Sequence, residues 1–233
     1  MATHHLGSED NVTDWAAWHQ AYDDPSSLLS TRLRSVQAHL SDAIGGAPAG
    51  RISLVSLCAG QGRDVIGVLP SHPRREDVRA VLVEADSRNA AVARRSAVAR
   101  ELLHVEVREA DASLVAGFAD ALPADVLLLC GIFGNVSDSD IRRTVEAAPA
   151  LCSLGASVIW TRHRRPPDLT PQIREWFTAA GFAEIAFDAP GTGTMVGVGA
   201  ARLGRAPGGS FQGGSLPDGP LFTFGSARPP GGR

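Results

Sequence analysis

The chain has 233 residues, 44% of them hydrophobic, and a formal net charge of −3. That length can bury one substantial core. All 22 basic residues are arginine, which excludes a Schiff-base lysine, a phosphate-loop lysine and a Ser–Lys hydrolase. The slight acidity argues against a general nucleic-acid binder, and no apolar run approaches the roughly 18 residues of a membrane helix. The opening MATHHLGSED lacks a secretory core, so a cytoplasmic protein is expected. Three cysteines without a CxxC spacing argue for reduced thiols rather than a disulfide frame or a zinc site.

In chain order, residues 1–11 read as a flexible, polar N-terminus, and residues 12–45 as a helical cover. Thr13 or Asp14 is expected to cap a short helix carrying Trp15, Trp18, His19 and Tyr22. Asp24-Pro25 is expected to open a longer helix, with Pro at its first position. Leu29, Leu33, Val36, Leu40 and Ile44 give that helix one apolar face, and GGAPAG at 45–50 is a linker.

From Arg51 strands and helices alternate. ISLVSLC, VRAVLVEA, HVEVREA, ADVLLLCGIF and SLGASVIWTRH read as strands. Between them lie helical patterns over Gln61–Leu69, Arg88–Leu103, roughly 113–119, and from Ser137 or Asp138 to about Ala148. LTPQIREWFTAAG is a further amphipathic helix, stopped by Gly181. FAEIAFDA and MVGVGAARL follow as two strands joined by PGTGT, too short a link for a parallel crossover. Alternation of this kind predicts an α/β fold: a mostly parallel sheet covered on both faces, closed by an antiparallel hairpin. Residues 204–233 form a Gly/Pro-rich tail, mostly flexible, in which LFTF at 221–224 could dock as a short edge strand.

The chemistry concentrates in VSLCAGQGRDVIGVL, where an apolar strand meets a Gly turn and then a helix. Glycines let a ligand approach the backbone, and a following helix points N–H groups at it. Glu84 ends the next strand, placed for a ribose hydroxyl. Together they mark a nucleoside site.

Five such units, closed by the hairpin and preceded by helices, resemble the class I S-adenosylmethionine-dependent methyltransferases over residues 51–203. The implied fold is a Rossmann-like methyltransferase sandwich. More narrowly, CAGQGRD resembles a group of uncharacterised actinobacterial methyltransferases, which adds no substrate. The family's first motif is acidic-x-G-x-G-x-G; here Ser56 and Cys58 depart from it, whereas Gly60 and Gly62 fit. The resemblance implies cofactor contacts from Cys58, Ala59, Gly60 and Gly62. It places Glu84 on the ribose, Asp111 on the adenine amino group with Ala112 adding a backbone contact, and Cys130 and Gly131 at the methionine end. Asp64 or Tyr22 would compensate there for the acid absent at Ser56.

Two other readings stay open. An NAD(P)-dependent oxidoreductase would need a small residue where Val65 stands. A non-catalytic adenosylmethionine-binding protein fits the Ser56 and Cys58 departures, because fold does not establish activity. Candidate acceptor-binding residues are Trp18, Phe133, Asn135, Arg162 and Arg164, and only one of the two arginines is expected to reach the pocket. A guanidinium there would suit an anionic substrate. His163, with His19 as second candidate, could take a proton from the acceptor. These residues predict methyl transfer from S-adenosylmethionine to an O or N atom of a small molecule by in-line displacement. No metal is expected, nucleic acid and membrane are not expected partners, and homodimerisation stays open.

Overall fold

The computed structural model describes residues 22–189, 195–204 and 216–224. The expected short helix with Trp15, Trp18 and His19, the PGTGT link and most of the tail lie outside the described residues.

Seven strands among the described residues form one sheet: β1 Ile52–Leu57, β2 Val78–Glu84, β3 Val105–Glu109, β4 Ala124–Leu129, β5 Cys152–His163, β6 Phe182–Asp188 and β7 Val196–Leu203. Their spatial order is β3-β2-β1-β4-β5-β7-β6. The pairs among β3, β2, β1, β4 and β5 are parallel, whereas β7 runs antiparallel to both β5 and β6. The apolar runs of β1 and β4 occupy the centre of the sheet and are almost wholly buried, as strands covered on both faces must be. The edge strand β3 carries Glu106, Arg108 and Glu109, and the charge blunts edge-to-edge pairing.

The helices are α1 Leu28–Gly45, α2 Val65–Val68, α3 Ser87–Ala99, α4 Asp138–Leu151 and α5 Thr170–Ala179. One core layer holds α1, α2 and α3 residues such as Leu40, Ile44, Val65 and Ala93 against Leu54, Leu82 and Leu128. The other packs Ile141, Val145, Ile173 and Phe177 against Leu127, Val158 and Trp160. Trp160 stacks on Phe177 at 5.8 Å between ring centres. Its indole leaves no space for a side chain on β7: a Cβ at Gly199 would lie 2.2 Å from it.

Several element boundaries differ from the sequence pattern, each for a local reason. Helix α1 starts three residues after Pro25, because the Ser27 side chain accepts from Ser30 N and caps it there. The helix expected over Gln61–Leu69 contracts to Val65–Val68: Gly60 and Gly62 adopt positive φ, and Pro70 cannot donate a helical bond. Helix α3 ends at Ala99 rather than Leu103. Glu101 turns left-handed (φ 54) and Leu102 N returns to Ala97 O, the closing bond of a helix C-terminus. The weak helix around 113–119 resolves into two tight turns, 115–117 and 119–121. Helix α4 runs on to Leu151, where β5 begins directly.

The LFTF segment forms no strand; Phe224 makes a single bridge to Val136. It docks by burial instead, with Leu221 and Phe222 inside the second core layer. Leu221 N donates to Ser113 O, Thr144 Oγ1 donates to Leu221 O, and Thr223 N donates to Asp140 Oδ2.

Candidate functional site

At the carboxyl end of β1 the chain passes through Cys58 (φ 53), Gly60 (φ 57) and Gly62 (φ 67) before α2. Gly62 is needed twice over. Its φ is left-handed, and a Cβ would lie 2.8 Å from Ile66 and 2.9 Å from Leu82. Glu84, at the end of β2, holds this turn: Oε2 accepts from Gly60 N at 2.7 Å and Oε1 from Asp86 N at 2.8 Å. Burial raises the Glu84 carboxyl above its ordinary range, against those two hydrogen bonds. Each carboxylate oxygen keeps a second lone pair for a ligand.

Asp111, after β3, is exposed and closes a turn by accepting from Ser113 N at 2.9 Å, with Ala112 buried beside it. Both Glu84 and Asp111 raise the Cys58 thiol further, after burial itself, so the three surround one place. Cys58 is therefore a packed thiol, not a nucleophile.

On the β4 side of the turn a second group collects. Asp64 caps α2, its Oδ1 accepting from Val65 N at 2.8 Å, and burial raises its carboxyl. Burial also raises Tyr22, which precedes α1, and Cys130, which follows β4. Asp64 and Arg32 both act on Tyr22 and Cys130, so these four side chains share one region. Arg32 of α1 donates to Tyr22 Oη, and its guanidinium lies 5.8 Å from the Tyr22 ring centre. Arg63 lies over the same ring at 5.4 Å and bonds Asp23, while Gln37 of α1 donates to Arg63 O. Ser56, on β1, is 1% exposed, and its hydroxyl has no hydrogen-bond partner among the described residues.

Beyond Cys130 the chain turns at Gly131 (φ 81), whose N donates to Thr161 Oγ1 at 3.0 Å and whose carbonyl accepts from Asn135 Nδ2 at 2.7 Å. Asn135 thus closes this loop, and Ser137 caps α4. The Phe133 ring is fully buried near Trp160, so it serves the core, and its carbonyl accepts from Arg162. Arg162 is nine-tenths buried, 4.0 Å from Asp138, and its Nε has no partner among the described residues. Arg164 leaves the strand, binds Asp168 at 2.9 Å and lies near the Phe187 ring. Burial, then Arg162 and Arg165, lower His163, whose Nδ1 is buried without a partner among the described residues. His19 and Trp18 lie outside the described residues.

Arg32, Arg63 and Thr161 also reach this region, through Tyr22 and Gly131, where the sequence pattern does not place them. The cue for Arg32 is positional: residues 29, 32 and 36 fall on one helical stripe, so an arginine interrupts the buried face. Two small clefts, one beside Leu103 and His104 and one between Gly46 and Arg202, lie at the opposite end of the sheet.

A parallel sheet entered at β1, with a Gly turn between β2 and β4 and an antiparallel β7 inserted between β5 and β6, is the fold of the class I S-adenosylmethionine-dependent methyltransferases. Solved structures share it. An O-methyltransferase family protein from Burkholderia thailandensis is 18% identical, with 83% of this chain and 60% of that one covered and a TM-score of 0.59. Magnesium protoporphyrin IX methyltransferase from Synechocystis PCC 6803, solved with bound SAM, is 10% identical over 86% of this chain and 100% of that one, at 0.64. The 1,6-didemethyltoxoflavin-N1-methyltransferase of Burkholderia thailandensis, with S-adenosylhomocysteine bound, is 15% identical over 88% and 93%, at 0.60. The chain thus spans about three-fifths of the first of these proteins and nearly all of the other two. No protein-family model matches the sequence, and no curated protein matches it.

Proposed function

We infer that the chain is an S-adenosylmethionine-dependent methyltransferase acting on a small molecule. The observation that carries this is the brace between the two sequence motifs, Glu84 bonded to Gly60 N across the carboxyl ends of β1 and β2. It sits where open α/β sheets take ligands, beside the switch point between β1 and β4. The residues fit the cofactor: a left-handed Gly turn for close approach, a carboxylate with free lone pairs for a ribose, Asp111 near it for the adenine amino group, and an orphaned Ser56 hydroxyl beneath the turn. A dinucleotide oxidoreductase fits less well, because Val65 is fully buried where its motif needs a small residue and β7 interrupts the parallel order.

When bound, the cofactor supplies an electrophilic methyl group on a sulfonium. The protein then has to orient the acceptor and exclude water. The acceptor lies over β4 and β5, an O or N atom on an anionic molecule. Arg162 supports the anion, being buried with an unpartnered Nε. Arg164 is already engaged with Asp168. His163 is held neutral by its surroundings and can accept the acceptor's proton. The related folds act on molecules as different as magnesium protoporphyrin IX and 1,6-didemethyltoxoflavin, so the fold leaves the acceptor open.

S-Adenosylmethionine and S-adenosylhomocysteine should each raise the melting temperature of the purified protein, and NAD and NADP should not. Stabilisation by NAD equal to that by S-adenosylhomocysteine would overturn the reading. Incubation with methyl-labelled cofactor and a cell extract should then transfer label to a small molecule; a binder without transfer is the non-catalytic alternative.

A further inference from the structure

We propose that Arg63 is a positioning residue that latches residues 22–27 over the candidate site, and that release of this latch sets how fast the adenosyl ligand exchanges. This rests on the proposed cofactor. The structure first limits what can move. Leu40 and Ile44 of α1 are fully buried, and Ser35 and His39 both bond Asp188 Oδ2 of β6 at 2.7 Å. At the far end of α1 the Arg74 guanidinium donates to Ile44 O, Ala47 O, Pro48 O and Gly50 O. The GGAPAG stretch is therefore no hinge, and α1 is part of the sandwich. Among the described residues, motion of the cover is left to what precedes the Ser27 cap.

That segment lies between two fixed bodies. On the α1 side Ser30 Oγ donates to Tyr22 O at 2.9 Å, Arg34 to Pro25 O at 3.0 Å, and Arg32 to Tyr22 Oη. On the other side stands Arg63, in the turn itself between Gly62 and Asp64. Its carbonyl accepts from Gln37 Nε2 at 2.8 Å, and Gly67 makes the room, since a Cβ there would overlap that amide. Its Nε donates to Gln61 Oε1 at 3.1 Å, and Gln61 in turn donates to the buried Asn89 of α3. Arg63 is thus a fixed post. From it the guanidinium reaches Asp23 at 2.9 Å and the Tyr22 ring at 5.4 Å.

Tyr22 is what the latch holds over the site. Burial raises its phenol, Arg32 opposes that, and Asp64 and Cys130 are near enough to raise it further. A ligand that runs across the Gly turn to the β4 side therefore extends beneath Tyr22. The strength of the latch suits a part that opens. Asp23 is 70% exposed, and ion pairs in contact with water are weak. Such a contact closes the segment without locking it, and elements that admit ligands belong to the least stable parts of a structure.

Cys130 reports the latch without any ligand, because burial keeps its thiol protonated until the segment lifts. Its alkylation by iodoacetamide is followed in wild type, Arg63→Gln and Asp23→Asn, with Cys152, 2% exposed in the second core layer, reporting global unfolding. Arg63→Gln should speed Cys130 about tenfold and Asp23→Asn less, with Cys152 unchanged. In stopped-flow binding, Arg63→Gln should raise association and dissociation of S-adenosylhomocysteine by a like factor, leaving affinity within about threefold. 5′-Methylthioadenosine has the same nucleoside and no amino acid to extend beneath Tyr22, so its rates should not change. Faster dissociation of S-adenosylhomocysteine with unchanged association would make Arg63 a ligand contact and overturn the latch. So would an unchanged Cys130 rate in Arg63→Gln, or an equal acceleration of Cys152 or of 5′-methylthioadenosine exchange. A wild type that binds neither ligand, with Cys130 still unmasked in Arg63→Gln, would remove the cofactor and leave the moving segment standing.

Discussion

Around β1 and β2, the groups of the candidate site lie close in sequence: Gly60 and Glu84 are 24 residues apart and bond directly. Around β4 and β5 they come from far apart. Arg162 reaches back to the carbonyl of Phe133, and the docked segment at 221–224 closes on Ser113, Val136 and Thr144. The first region is fixed by backbone conformation, the second by tertiary packing. The adenosyl ligand is common to the solved methyltransferases from Synechocystis and Burkholderia thailandensis that share this fold, and rigid local geometry suits a shared nucleoside. An acceptor differs from enzyme to enzyme, and a region assembled from distant segments changes without disturbing the Gly turn.

The largest effect should come from the packed side. Phe222 is 1% exposed in the second core layer, so Phe222→Ala should cost about 3–5 kcal/mol in urea unfolding. If the two regions are separable despite the Leu221–Ser113 bond, affinity for S-adenosylhomocysteine should stay within about twofold. A tenfold loss would mean that the docked segment shapes the nucleoside site through Ser113, and the contrast would fail.

Gly62→Ala tests the other region. The added methyl group meets Ile66 and Leu82 inside 3 Å, on backbone that alanine adopts reluctantly. The cost should be smaller, about 1–3 kcal/mol. Affinity for both S-adenosylhomocysteine and 5′-methylthioadenosine should fall together with stability. Loss of stability alone would show that this turn is merely structural.

The same contrast explains what could be read in advance. The parallel sheet, its closing hairpin and the Gly60–Glu84 pair follow from local signals: period, turn residues and the spacing of motif to strand end. The helix boundaries were overextended where one residue decides, as at Gly62, Pro70 and Glu101. The contact of Arg32 with Tyr22 is not legible in the sequence, because an arginine on a helix reads as solvated until its neighbour is known. Phe133, expected at the acceptor, sends its ring into the core while its carbonyl accepts from Arg162, and nothing in IFGN distinguishes a ring turned inward from one turned outward.

The smallest effect, and the finest probe of the β5 side, is the titration of His163. Burial and the neighbouring Arg162 and Arg165 lower its folded pKa, with Asp168 acting in the opposite sense. Between the ordinary value of about 6.5 and that lowered value, the unfolded chain binds a proton that the folded chain refuses. Stability from this residue is therefore fully present above the ordinary value and is lost as pH falls through the window. His163→Gln carries no such titration, so the melting temperatures of wild type and variant should converge or cross on acidification from neutral pH. The same substitution should leave S-adenosylhomocysteine affinity unchanged and remove the acid limb from the rate of methyl transfer. A variant that keeps the wild-type acid limb would show that another group takes the proton. An unchanged stability difference across that pH range would show that burial and the arginine neighbours do not lower the imidazole.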